Sequence, residues 1–426
     1  MNRSACALSV VAVSLFSCGQ AEDTGPTPDQ ITSIDDSAVK EQTIGNCWLY
    51  GTAAWAEQMH LAATGQVVDV SEAYWTFWYW YDQITDGPIS RELRASAKDP
   101  AFAKGVMEGG YWGLAAELAS AYGWMSEVDF KPGATSKAAF HGDAVTRLNA
   151  TLRTGSLSTA ESRKDRAAVL TELLAAWAPS STTANKIVAV FGTGGERTFR
   201  SGAKASGVVR PLTELKSKSL DGATTISLGD VLGSPKAGSP LWRGQREGRW
   251  AWNDFFYDPA VVPWTKRRVL FRAIQQSLHA KLSVPLAWNV TNTVVNGEYS
   301  IVAADTIVRG GHLSVITDYE ARLVPGFGTL AIGVPASLAA QDAAMSIGVF
   351  VTKVRVKNSW GSDPFWNAEE WRQFGRVSAP PASTKTTYLP AKPGYNDIGA
   401  AYLWSETGTA KLRSVVLPLS QLRFPL

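Results

Sequence analysis

Cysteine is scarce in this chain: three copies in 426 residues, Cys6, Cys18 and Cys47. So few thiols exclude a disulfide framework and a four-cysteine zinc site. Histidine is nearly as rare, with four copies, and neither a His-x-x-x-His nor a Cys-x-x-Cys spacing occurs. No metal and no cofactor are therefore expected. Charge of one sign is lacking too. The 41 basic and 38 acidic residues leave a net +3 without long blocks, which gives no footprint for a nucleic-acid partner. There is no Gly-x-Ser-x-Gly elbow for a serine nucleophile. The run FGTGG, Phe191 to Gly195, is not followed by Lys-Ser/Thr and reads as a turn at a strand end or in a hairpin rather than a phosphate loop. The apolar run Ala5 to Phe16, twelve residues, falls short of the ~20 that a membrane-crossing helix needs.

Apolar and aromatic residues are plentiful. With 45% hydrophobic and 19% charged residues, the chain can bury a large core, as one large domain or two lobes. Seventeen tryptophans, concentrated around YWTFWYWY (Tyr74 to Tyr81), suit either an aromatic core or an amphipathic binding surface, and core is the preferred reading. Trp242, Trp250 and Trp252 are equally open between lining a groove and packing under a loop.

Residues 1–18 read as an export signal, with Arg3 ahead of the apolar run Ala5 to Phe16. Leu15-Phe16-Ser17-Cys18 resembles the bacterial lipobox, in which the cysteine is acylated and becomes the new N-terminus. That resemblance implies a lipid anchor at Cys18 and a place in the cell envelope; cleavage by an ordinary signal peptidase, giving a secreted or periplasmic protein, is the alternative. Residues 19–33, rich in Gly, Pro, Asp and Thr, read as a flexible tether of roughly 20 Å. With Cys6 inside the signal and Cys18 lipidated, Cys47 becomes the sole thiol, either an inert buried side chain or a nucleophile.

Structure is expected from about Ile34. Helical spacing of apolar and small residues predicts a helix over Cys47 to Thr64, stopped by Gly65. A second helix follows Ser71 as its N-cap, and a third runs from the Gly109-Gly110 pair to Gly123. Residues 131–258 change character and read as an insertion, with a helix in ESRKDRAAVLTELLAAWA and a strand in NKIVAVFGTGG. After it come an amphipathic helix, RRVLFRAIQQSLHAKL, and alternating segments, VPLAWNV, GEYSIVAADTIV, GHLSVITDY, GTLAIGV and VTKVRVKNSW, that suit an antiparallel sheet or barrel. Helices first and strands later predict an α+β fold with a helical lobe (34–130) facing a β-rich lobe (259–426).

A cysteine in the first turn of a helix is placed for thiolate chemistry if an imidazole reaches it. His60 sits thirteen residues along the same helix, ~20 Å away at 1.5 Å per residue. His141 is assigned to a polar loop and His279 to the surface or boundary of a helix, which leaves His312 at the start of a strand. Asn358, in KNSWG, carries an amide oxygen able to orient that imidazole, and Trp360 is placed to shield the bond from water. The order Cys, His, Asn alone is weak evidence.

The local words are more specific. QTIGNCWLYGTAA, GGHLSVITDY and VRVKNSWG resemble the three catalytic segments of the papain-like cysteine peptidases, in that family's chain order. VSEAYWTFWYWYDQ and EGGYWGLAAELASAYGWM resemble its bleomycin hydrolase and aminopeptidase C branch, and the likeness covers Ala38 to Phe130 and Trp264 to Ser362. The resemblance implies a two-lobe papain-like fold with a barrel-like β lobe. It implies Cys47 as nucleophile, His312 as base and acid, Asn358 as orienter and Trp360 as shield. It further implies Gln42 as oxyanion donor and Gly109 and Gly110 as the wall along which a substrate backbone lies. Four residues, not the family's usual five, separate Gln42 from Cys47. The short stretch between Cys18 and Cys47 leaves no room for a long inhibitory propeptide, and the terminal SQLRFPL does not resemble the branch's site-filling tail. The expected function is hydrolysis of peptide or protein substrates. An inactive papain-fold scaffold of the envelope and an amidase or acyltransferase using the same three residues remain alternatives; oligomeric state is open.

Overall fold

The computed structural model describes residues 39–85, 105–130, 137–235, 246–247, 249–253, 264–290, 294–295, 298–299, 310–361, 394–403 and 412–418. The export signal, Cys18, the tether, Trp242 and SQLRFPL lie outside the described residues. Architecture is mixed α+β. Helix α1 spans Cys47–Thr64 and ends at Gly65, whose φ of 72° is left-handed and favours glycine. Helix α2, Glu72–Ile84, starts where the Ser71 side chain accepts from the Tyr74 N–H. Helix α3 is Trp112–Tyr122, followed by Gly123.

All thirteen residues of α2 are buried. A helix apolar on every face must be enclosed, and α2 is the centre of an aromatic core. Trp78 stacks on Tyr122 at 4.0 Å and meets Phe191 edge-on at 4.7 Å. Each such pair adds about 0.5–1.5 kcal/mol beyond area burial. The polar tips point at backbone: Tyr79 Oη donates to the Gly109 carbonyl, Trp80 Nε1 and Gln83 Nε2 to that of Met107, and Tyr81 Oη to that of Gly194. The core reading of YWTFWYWY thus fits, and the same helix holds residues 107–109 in place.

Helices α4 (Lys137–Arg153), α5 (Arg166–Trp177) and α6 (Ser181–Phe191) complete this helical layer. Trp177 lies 5.0 Å from Trp80, so the middle segment shares one core with α1 and α2. Two expectations need correction here. NKIVAVF is helical, not a strand: Ile187, Val190 and Phe191 are buried at helical spacing behind the Ser180 cap, so periodicity outweighs β-branched composition. FGTGG accordingly ends a helix, with Arg166 donating to the Gly194 and Gly195 carbonyls.

The main sheet contains, among the described residues, β1 (Trp250–Asn253), β2 (Val284–Val290), β3 (Val294–Val295), β4 (Glu298–Tyr299), β5 (Gly310–Val324), β6 (Gly328–Leu330), β7 (Phe350–Lys357), β8 (Tyr395–Gly399) and β9 (Leu412–Pro418). Their order is β1-β9-β2-β5-β7-β8-β4-β3, with β6 beside β5, and only β8 with β4 is parallel. Helix α7, Trp264–His279, shares a second core with this sheet. Leu313 and Val315 join the helical core, whereas Trp288 and Ile316 join the second one. Trp250 of β1 meets Trp55 of α1 at 5.6 Å, and residues 250–253 of the middle segment pair with β9 in the sheet. No described helix is long and apolar enough to cross a membrane.

Candidate active site

Two strips of chain meet where α1 begins. The first, residues 40–42, runs antiparallel to residues 359–361: Gln42 N–H donates to the Ser359 carbonyl at 2.7 Å, and Gly361 N–H to that of Lys40 at 3.2 Å. Lys40 pins this strip to the helical layer through Glu57 at 2.8 Å, Asp69 at 2.7 Å and Glu72 at 2.8 Å. Burial works against the Lys40 ammonium, but the three carboxylates outweigh it and hold its pKa well above the ordinary lysine value.

Gln42 is fixed at both ends. Its Oε1 accepts from the Ser359 hydroxyl and its Nε2 donates to the Ile44 carbonyl at 3.1 Å. An amide nitrogen carries two protons, so one remains beyond the Ile44 bond. The four residues before Cys47 form a tight turn, with Asn46 N–H donating to the Ile44 carbonyl at 2.8 Å. Glu108 accepts from Gly45 N–H at 2.6 Å, and its own carbonyl accepts from Trp48 Nε1 at 2.9 Å. Asn46 is buried and donates to Thr76 Oγ1 at 3.1 Å. Cys47, partly exposed, then opens α1, where first-turn N–H groups lack intrahelical acceptors and the helix dipole is positive.

Helix α1 packs against β5. A Cβ at Gly51 would meet Leu313 Cδ2 at 3.0 Å, so the helix's second turn lies on the residue next to His312. His312 is buried, and its Nε2 lies 2.8 Å from Asn358 Oδ1. Ser359 N–H, 2.7 Å from that same oxygen, can only donate, so the atom it faces is Oδ1 and not Nδ2. A carbonyl oxygen only accepts; Nε2 therefore carries the imidazole proton and the lone pair of neutral His312 sits on Nδ1. Burial lowers the His312 pKa to about 4, opposed by the Asn358 bond, so the ring is neutral near pH 7. Trp360 lies over the imidazole, with centroids 4.6 Å apart and planes 31° apart.

The two glycines differ. A Cβ on Gly110 would sit 2.4 Å from the Trp48 ring, which makes this glycine a packing requirement, while one on Gly109 would meet nothing within 4 Å. Only Gly109 presents an open face.

The remaining histidines fall elsewhere. His60 Nδ1 accepts from Lys216 N–H at 3.1 Å. His279 Nε2 lies 2.7 Å from Tyr319 Oη at a helix end, as expected of a boundary residue. His141 is not in a polar loop: it is buried on α4, edge-on to Trp177, with Nδ1 3.3 Å from Thr43 Oγ1. Gly142 and Asp143 hid the helix, whose stripe is Phe140, Ala144, Leu148 and Leu152. Sequence reasoning thus missed His141, Glu108, Ser359 and Asn396 as neighbours of the site. Asn396 accepts from Asn358 Nδ2 at 2.6 Å. The acid beside a Gly-Gly pair and the asparagine inside an otherwise strand-like GYNDIG were the available signals. Among the described residues no three His, Cys, Asp or Glu side chains converge as a metal-binding group.

No family model matches the chain, and no curated protein matches it. Among solved structures it is similar to PepW from Lactobacillus rhamnosis HN001, with a TM-score of 0.41 and 15% identity, covering 94% of this chain and 83% of that one.

Proposed function

We propose that the protein is a cysteine-type peptidase that hydrolyses peptide bonds through an acyl-enzyme. The observation that carries this reading is the buried His312–Asn358 bond, whose geometry leaves the basic lone pair on Nδ1. In the proposed reaction His312 Nδ1 takes the Cys47 thiol proton and the sulfur attacks the substrate carbonyl carbon. The resulting oxyanion accepts from the second Gln42 Nε2 proton and from the Cys47 backbone N–H. The C–N bond breaks as His312 returns the proton to the leaving amine. A water, deprotonated by the same nitrogen, then attacks the thioester, releasing the acid and restoring the thiol.

Alkylation by iodoacetamide tests it: a reactive Cys47 labels rapidly near neutral pH, well ahead of an ordinary thiol of pKa about 8.5, and Cys47→Ala loses hydrolysis of a peptide library while keeping the fold. Hydrolysis that persists in Cys47→Ala rules the mechanism out. A second reading, a papain-fold binding protein without activity, draws on the Gln42 amide, which is turned to its own loop at Ile44. Rapid native labelling with no turnover of any peptide, ester or amide favours that reading, and ester or amide turnover alone favours an amidase or acyltransferase. The proposal places the protein outside the cytoplasm, anchored through Cys18. Cys18→Ser is expected to move it from the membrane to the soluble fraction; retention at the membrane counts against the anchor.

A further inference from the structure

The proposed chemistry depends on which way the Asn358 amide points, because a flipped amide offers His312 an N–H instead of an oxygen and leaves the imidazole in the other tautomer. Ser359 N–H selects the oxygen from one side. The opposite end of the amide is buried and needs an acceptor. Strand β8 supplies one: Val356 pairs with Asn396, so Asn396 and Asn358 are diagonal neighbours on one sheet face, within side-chain reach. Asn358 N–H, donating to the Gly394 carbonyl at 2.9 Å, continues that register past the end of β7. Both side chains are buried, at 4% and 6% exposure, so no bulk water replaces the bond.

We propose that Asn396 is a positioning residue for the peptidase reaction: by accepting from Asn358 Nδ2 it locks the amide so that Oδ1 faces His312, and so keeps the His312 lone pair on Nδ1. This rests on the proposed function for its kinetic consequence but not for its structural one. The bond also polarises the amide. Electron density withdrawn through N–H···O=C donation makes Oδ1 a better acceptor, and the His312 Nε2–H bond strengthens with it. Asp397, the next residue on β8, is bound to Arg355 of β7 at 2.7 Å.

The test uses the full chain with 15N-labelled histidine. In native protein the His312 side-chain shifts report a single Nε2–H tautomer. Asn396→Leu removes the acceptor at similar volume, and Asn396→Val does so with a side chain suited to a strand; either one, once circular dichroism shows a native fold, is expected to give a mixed tautomer. Asn396→Asp keeps an acceptor oxygen and is expected to retain the Nε2–H form. In peptide hydrolysis the apolar variants lose about tenfold in kcat, the equivalent of one hydrogen bond, with KM unchanged, and Asp recovers most of that. A pure Nε2–H tautomer in the folded Leu or Val variant overturns the proposal, as does its loss in Asn396→Asp. If the native chain hydrolyses nothing, the peptidase reading fails while the tautomer measurement still decides the role of Asn396.

Discussion

The two sides of the site are built by different means. His312 stands on β5 and Asn358 directly follows the adjacent strand β7, and their main-chain ladder extends on to β2 and β8. Gln42 and Cys47 flank a four-residue turn held by side chains: Glu108 on Gly45 N–H, Ser359 on the Gln42 amide and His141 against Thr43. A ladder has many parallel bonds, so one substitution there changes chemistry more than position. A turn held by a few side chains loses position when one of them goes.

The largest effect expected from breaking this comparison is at His312. Removing a general base and acid costs about 10²–10⁴-fold in rate, and with the role proposed for it His312→Ala should lower kcat by that order while thermal unfolding stays native-like, because β5 is held by its backbone. Gln42→Ala follows. Loss of one oxyanion donor costs about 10²–10³-fold in kcat, and this variant also cuts the Ser359 and Ile44 contacts, so a small fall in Tm is expected with it. If Gln42→Ala hydrolyses peptide at the native rate, Gln42 is no oxyanion donor and its proposed role fails while the peptidase reading stands.

Glu108 is the sharper probe of the difference, since it touches the turn and no proposed reacting group. Glu108→Ala removes the acceptor of Gly45 N–H and should cost about tenfold in kcat, comparable to one charge-assisted hydrogen bond. Glu108→Gln keeps an acceptor oxygen and should recover most of the loss. Equal losses in both variants point to the charge rather than the tether.

The glycine pair separates position from access. Gly110→Ala drives a methyl into the Trp48 ring, 2.4 Å away, and should destabilise the fold by about 1–3 kcal/mol in denaturant unfolding. Gly109→Ala, with nothing within 4 Å, should leave stability unchanged and raise KM severalfold if substrate passes there.

What was legible in the sequence follows the same divide. Ends of α1 and α2 were legible because Gly65 and Ser71 act on their own helices. The pairing of His312 with Asn358 was legible because histidine is rare and the surrounding words are specific. Glu108, His141 and Asn396 were not: their bonds reach Gly45, Thr43 and Asn358 across 63, 98 and 38 residues. Only tertiary packing brings those partners together, and no local spacing encodes it. NKIVAVF failed for the converse reason, since its local composition favoured a strand and the buried stripe over α2 decided otherwise.

The smallest effect concerns stability on the sheet side, where burial has lowered His279 to about 4, from an ordinary 6.5. Above pH 6.5 the ring is neutral folded or unfolded. As pH falls from 6.5 towards 4, the unfolded chain takes up a proton that the folded chain refuses, so stability is lost through that window, by about 1–3 kcal/mol at its acid end. Asp318 on β5, raised to about 7 by burial, acts in the opposite sense, its stabilisation present at low pH and lost as pH rises towards 7. Only a difference between variants isolates one group. His279→Gln keeps a side chain able to bond Tyr319 Oη and removes the titration. Its stability relative to the native chain should be flat above pH 6.5 and improve steadily down to pH 4, with peptide hydrolysis at pH 7 unchanged. A flat difference across the whole range would mean that His279 opens to water at Tyr319 before the sheet unfolds, and that this end of the ladder is as loosely held as the turn before Cys47.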